Sequence, residues 1–102
     1  MAARAFDRIS VLLDAKIYCR SRVYSGTVVN VSESGMFIKM DGSPILSGPQ
    51  LDVVVSLNKD VLRLSGKIIR QEATDHRYGV GIEVLDPNPD YLDFIFSLMA
   101  FL

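Results

Sequence analysis

Apolar positions recur every second residue through most of this chain. Leu13, Ala15, Ile17 and Cys19 fall on one side of an extended segment, with Asp14, Lys16, Tyr18 and Arg20 on the other. A period of two marks a strand with one buried face. Val23, Ser25, Thr27, Val29 and Val31 form a second set, and its β-branched residues suit a pleated surface. Ser32-Glu33-Ser34-Gly35 has the composition of a turn, and Met36 to Met40 resume as a short strand. Residues 41–50 hold two glycines, two prolines and two serines, which predicts a surface loop. Leu51, Val53, Val55 and Leu57 alternate again up to a turn at Asn58-Lys59-Asp60. Leu62, Leu64, Gly66 and Ile68 follow, and the pair Ile68-Ile69 breaks phase as a bulge does. Tyr78, Val80, Ile82 and Val84 make a sixth strand, stopped by Pro87 and Pro89. Beyond them Tyr91, Leu92, Ile95, Leu98, Met99 and Leu102 stand at helical spacing. Asn88 is placed to cap that helix, with Pro89 at its first position.

Six short strands and one terminal helix predict an all-β fold, a six-stranded antiparallel β-barrel whose closure removes exposed edges. The C-terminal α-helix would cap an open end or cover the outside. The expected organisation is one domain of 102 residues. It divides into a flexible ligand-binding arm without period over 1–10, a barrel over 11–86 and the helix over 88–102.

Composition narrows the function classes. Charged residues are 23% and the net charge is −1, which fits a folded domain and lacks the basic excess of nucleic-acid binders. The charge is uneven, however. Arg4, Arg8, Lys16, Arg20 and Arg22 outnumber Asp7 and Asp14 at the N-terminal end, whereas residues 83–102 carry Glu83, Asp86, Asp90 and Asp93 and no base. The N-terminal end suits a small anion better than a polyanion. Tyr18, Tyr24, Phe37 and Tyr78 are spread over different strands, unlike the aromatic face of a single-strand RNA binder.

Cys19 is the only cysteine, so an intrachain disulfide is excluded and a reducing, cytoplasmic setting is expected. No apolar run reaches the ~18 residues of a membrane span, and the N-terminus has no signal-peptide core. His76 is the only histidine and falls in a predicted hairpin loop. With no acid/base pair, metal-ligand spacing or phosphate-cradling loop, the expectation is a non-enzyme without catalytic residue, metal or cofactor.

Two short motifs remain. Arg4-Ala5-Phe6-Asp7-Arg8 puts two arginines around an aromatic residue ahead of the first strand. Asn30-Val31-Ser32-Glu33-Ser34-Gly35 sits where the second strand turns into the third. Taken alone, the first is also a solvated arm and the second ordinary turn chemistry, with Gly35 supplying a positive φ. In this order and context they resemble the PilZ family, whose signatures are R-x-x-x-R before the first strand and D/N-x-S-x-x-G between the second and third. Arg4 and Arg8 match the first, and Asn30, Ser32 and Gly35 the second. Tyr78-Gly79-Val80-Gly81-Ile82 is similar to the family's glycine-rich last strand. Ala5 departs from it, since many relatives carry another arginine there.

The resemblance implies a PilZ-type barrel that binds cyclic di-GMP as a receptor or effector in bacterial second-messenger signalling. It assigns Arg4 and Arg8 to guanine and phosphate, Asn30 and Ser32 to guanine, and Gly35 to turn shape. The chemistry is apt. An arginine fork matches the paired acceptors of a guanine edge and the oxygens of a phosphate, and its plane stacks on a purine. Asn and Ser both donate and accept. The arm would order over the ligand, a disorder-to-order switch.

Arg70 is expected as an exposed strand-end charge, with a stacking contact to the ligand as its other reading. The alternative function is a PilZ-like protein-interaction adapter that binds no nucleotide. The aromatic tail, with Phe94, Phe96 and Phe101, offers surface for a downstream protein partner or for a homodimer through the C-terminal helix.

Overall fold

A computed structural model describes residues 8–42, 46–48, 50–74 and 77–100 of the chain. The strands are β1 (Ile9–Cys19), β2 (Arg22–Val31), β3 (Gly35–Met40), β4 (Leu51–Ser56), β5 (Val61–Thr74) and β6 (Arg77–Leu85), followed by the helix α1 (Pro89–Met99). They close into a barrel in the order β1-β2-β3-β6-β5-β4, with every pairing antiparallel. Closure runs through β1 and β4, where Ala15 faces Val55 and Ile17 faces Val53.

The barrel is filled by side chains. Ile17, Val28, Ile38, Val53, Val80 and Ile82 are fully buried, contributed by five strands. Cys19 belongs to this core, and its Sγ–H donates to the Ser47 carbonyl at 3.1 Å. Ile17→Ala would leave a cavity in such a packed interior, at a cost of about 3 kcal/mol.

Three readings of the strands are corrected. β1 begins at Ile9, ahead of Leu13 where the clean alternation sets in. A register shift between Ser10 and Leu13 breaks the period and leaves Leu12 80% exposed.

In β2 the inward set is Gly26, Val28 and Val31, and Val23 is turned out. Counting β-branched residues chose the opposite parity, because Gly26 carries no hydrophobic signal. Its Cα faces Ile38 and Met40, and a Cβ there would lie 2.8 Å from Ile38 Cγ2. The register shift between Val28 and Asn30 then returns Val31 to the core.

β5 does not end near Ile68-Ile69. It continues to Thr74, paired with β6 throughout. The pair marks a register shift between Ile68 and Arg70, with Ile69 pushed 55% into solvent. Beyond it the exposed residues Gln71, Glu72 and Ala73 give no apolar signal. His76, expected in a hairpin loop, lies outside the described residues.

α1 starts at Asn88, whose Oδ1 accepts from the Tyr91 N–H at 2.8 Å and whose Nδ2 donates to the Arg63 carbonyl at 3.1 Å. One side chain thus caps the helix and ties it to β5. Tyr91 and Ile95 are buried, while Phe96 stays 52% exposed. Among the described residues no helix is long and apolar enough to cross a membrane.

Candidate functional site

Antiparallel pairing of β1 with β2 brings the start of one strand to the end of the other. Ile9 faces Val31 and Ser10 faces Asn30, so the residue ahead of β1 lies beside Asn30. Arg8 Nη1 donates to Asn30 Oδ1 at 2.8 Å, across 22 residues of sequence. A guanidinium has five N–H donors, and this bond uses one. Arg4 lies outside the described residues.

The Ser32–Gly35 turn is closed by its own backbone. The Ser32 N–H donates to the Gly35 carbonyl at 2.8 Å, and the Val84 N–H of β6 donates to the Ser34 carbonyl at 2.8 Å. Ser32 is buried, and its Oγ lies 3.4 Å from both the Gly35 carbonyl and the Ser34 N–H. Bonds of that length are weak, so the hydroxyl remains able to exchange them for a better partner.

Gly35 has no positive φ; among the described glycines only Gly42 and Gly48 do. The requirement is close approach instead. Gly35 faces Glu83 in the β3–β6 ladder, and a Cβ on it would sit 2.5 Å from the Ile82 carbonyl oxygen.

The ladder extends the site across the outside of the barrel. Asn30 faces Phe37, Phe37 faces Gly81, and Gly81 faces Arg70. Directly paired residues share a face, and three strand spacings of about 4.8 Å make this row roughly 14 Å long. The two glycines of β6 provide its floor. A side chain at Gly79 would overlap the Phe37 ring, and one at Gly81 would press on Arg70 Cγ at 3.1 Å. Arg70 therefore crosses Gly81 and holds its guanidinium carbon 5.3 Å from the Phe37 centroid, within cation–π range. Its Nε also meets Glu72 Oε2 at 3.1 Å, and its side chain is 58% exposed. Arg70 is thus a mid-strand residue on a built platform rather than a strand-end charge.

Two participants carry no clear mark in the sequence. Phe37 sits between Met36 and Ile38 and passes for core until strand parity turns it outward. Tyr91 joins the apolar stripe of α1, yet a buried phenol calls for a hydrogen-bond partner. Its hydroxyl donates to the Ser32 carbonyl at 2.6 Å and lies 3.2 Å from the Gly35 carbonyl.

Burial pushes the Tyr91 hydroxyl well above the ordinary tyrosine range, and the nearby Arg8 guanidinium opposes this only in part. The folded state therefore keeps this proton at a pH where the unfolded chain releases it. That contribution is fully present below about pH 10 and is lost as pH rises above it. Stability should fall by up to about 1.4 kcal/mol per pH unit there. Denaturant melts from pH 9 to 11.5 check this, and Tyr91→Phe should flatten the slope.

A groove of about 850 Å³ opens elsewhere on β1, β4, β5 and β6, lined by Tyr18, Asp52, Arg63, Ser65, Leu85 and Asn88. Among the described residues, Arg8, Asn30, Ser32 and Gly35 do not line it.

The family model for the PilZ domain matches residues 2–100. The chain belongs to the PilZ domain family. The fold of this PilZ domain is similar to that of the PilZ domain of YcgR from Escherichia coli, solved with c-di-GMP. The TM-score is 0.77 at 15% identity, over 97% of this chain and 93% of that one. It is also similar to MotI/DgrA, the inhibitor of motility of Bacillus subtilis, with a TM-score of 0.77 at 16% identity over 98% of this chain. The PilZ domain spans 51% of that protein. The PilZ domain of CeSA from a cellulose-synthesizing bacterium gives a TM-score of 0.67 at 26% identity, over 90% of this chain and 97% of that one. No curated protein matches the chain in sequence.

Proposed function

We propose that this PilZ domain is a receptor or effector module for cyclic di-GMP in bacterial second-messenger signalling, a binding module rather than an enzyme. The observation that carries the reading is the 2.8 Å bond between Arg8 and Asn30, which joins the two motifs at one point of the barrel surface. The YcgR domain whose fold this one shares was solved with c-di-GMP, and so was PlzA of Borreliella burgdorferi.

Arg8 exchanges its bond to Asn30 for a phosphate or a guanine edge, where a charged fork gains two parallel bonds. Asn30 and the Ser32 hydroxyl take the polar edge of the guanine. Arg4 brings a second fork from the arm. The Phe37–Arg70 platform receives a purine face, with Arg70 stacking on it from the end of the row. Gly35 keeps the turn pressed against β6.

The arm ahead of β1 orders on binding. Because Ile9 and Ser10 already pair with β2, it is shorter than the 1–10 expected from the sequence. Amide exchange at residues 4–8 should slow when ligand is added. Unchanged exchange there would remove the arm from the mechanism. Calorimetric titration tests the function itself. Cyclic di-GMP should bind saturably, with GTP and cyclic GMP giving no comparable heat. Absence of binding favours the adapter reading, in which half-exposed Phe96 on α1 meets a downstream protein or a second copy.

A further inference from the structure

The Asn30–Gly35 turn is held from two directions, and one of them is the C-terminal helix. Tyr91 is completely buried, and its hydroxyl sits between the carbonyls of Ser32 and Gly35, at 2.6 and 3.2 Å. These are the carbonyls of the two residues that close the turn, through the 2.8 Å bond from the Ser32 N–H to the Gly35 carbonyl. Tyr91 belongs to the first turn of α1, and its own N–H is capped by Asn88. Asn88 in turn reaches the Arg63 carbonyl of β5 at 3.1 Å. The helix is therefore seated by two side chains three residues apart, one on β5 and one on the motif turn. The bond from Tyr91 spans 59 residues of sequence, so nothing local enforces it.

We infer that Tyr91 is a positioning residue of the nucleotide site and that seating of α1 and occupancy of the Asn30–Gly35 turn are one coupled equilibrium. The inference rests on the receptor reading above. The phenol fixes the direction of the Ser32 carbonyl, and with it the place of the Ser32 hydroxyl within the turn, two residues after Asn30. A ligand that grips Asn30 and Ser32 stiffens the turn to which the helix is tied. By linkage, the factor by which bound ligand favours the seated helix is the factor by which unseating the helix weakens the ligand. The helix carries half-exposed Phe96, so a change in its seating alters the surface the domain presents.

Tyr91→Phe keeps the ring packing and removes only the hydroxyl. It should weaken cyclic di-GMP binding about tenfold, the worth of a buried hydrogen bond. In the unaltered protein, amide exchange of residues 92–98 should slow at saturating ligand. In Tyr91→Phe, also saturated, that exchange should be the same with and without ligand. Asn88→Ala loosens the helix from its other anchor without touching the turn, and reciprocity requires it to weaken binding as well.

Tyr91→Phe with unaltered affinity and a wild-type slowing of 92–98 overturns the inference. So does an unaltered protein that binds while 92–98 do not respond. If the unaltered protein binds no cyclic di-GMP, the receptor reading falls, and the coupling to ligand with it. The ligand-free proteins then decide the positioning role. Faster exchange at residues 32–35 in Tyr91→Phe supports it, and equal exchange overturns it.

Discussion

Arg8→Ala should weaken cyclic di-GMP binding about thirtyfold while leaving the barrel intact. Removing one partner of a charged hydrogen-bonded contact costs ~2 kcal/mol or more, which is about that factor in the dissociation constant. Its bond to Asn30 is exposed, so without the guanidinium the Asn30 carboxamide is met by water. Stability should therefore stay within about 0.5 kcal/mol of wild type, as for most surface changes. Arg8→Lys separates charge from geometry. It keeps the cation but loses the planar fork, and its affinity should fall between the other two. Calorimetric titration of the three proteins, with a denaturant melt of each, checks the prediction. An Arg8→Ala protein that binds like wild type would place Arg8 outside the site.

Gly35→Val should lower stability by about 3 kcal/mol and abolish binding with it. The first atom of any side chain there lies 2.5 Å from the Ile82 carbonyl oxygen, and a backbone atom cannot turn aside as a side-chain end can. Either β3 moves away from β6 or the turn shifts, and overpacking of this kind typically costs 1–3 kcal/mol, with the branched Val near the top of the range. The turn that moves is the one carrying Ser32, so binding falls along with stability. Gly35→Ala should show the same effects, smaller. Urea denaturation gives the midpoint and titration the affinity. A wild-type midpoint for Gly35→Val would mean that the strands yield there at no cost.

The barrel was legible because strands with one buried face write a period of two, and β4 and β6 write it cleanly: Leu51, Val53 and Val55, then Val80, Ile82 and Val84, are all buried. Legibility failed where the period itself breaks. The register shifts in β1, β2 and β5 each displace the pattern by a residue, and a glycine on an inward position, as at Gly26, is silent to hydrophobic counting.

The site divides in the same way. Arg8, Asn30, Ser32 and Gly35 lie in two short segments that sequence can single out, although for Gly35 the physical reason is close approach rather than a positive φ. Phe37, Gly81 and Arg70 come from three strands and meet only through the ladder, so no local pattern links them. Tyr91 stands among apolar helix residues, and only its bond to Ser32 separates it from them.

The claim at the centre is that ligand occupies the row running from Arg8 and Asn30 across Phe37 to Arg70. Amide chemical-shift mapping of the labelled protein during a cyclic di-GMP titration tests it most directly. The predicted result is a cluster of large shifts at Arg8, at residues 30–37 and at Arg70, with Tyr18, Asp52 and Ser65 unmoved. Shifts concentrated in the groove around Tyr18, Asp52 and Ser65, or none at saturating ligand, would contradict it.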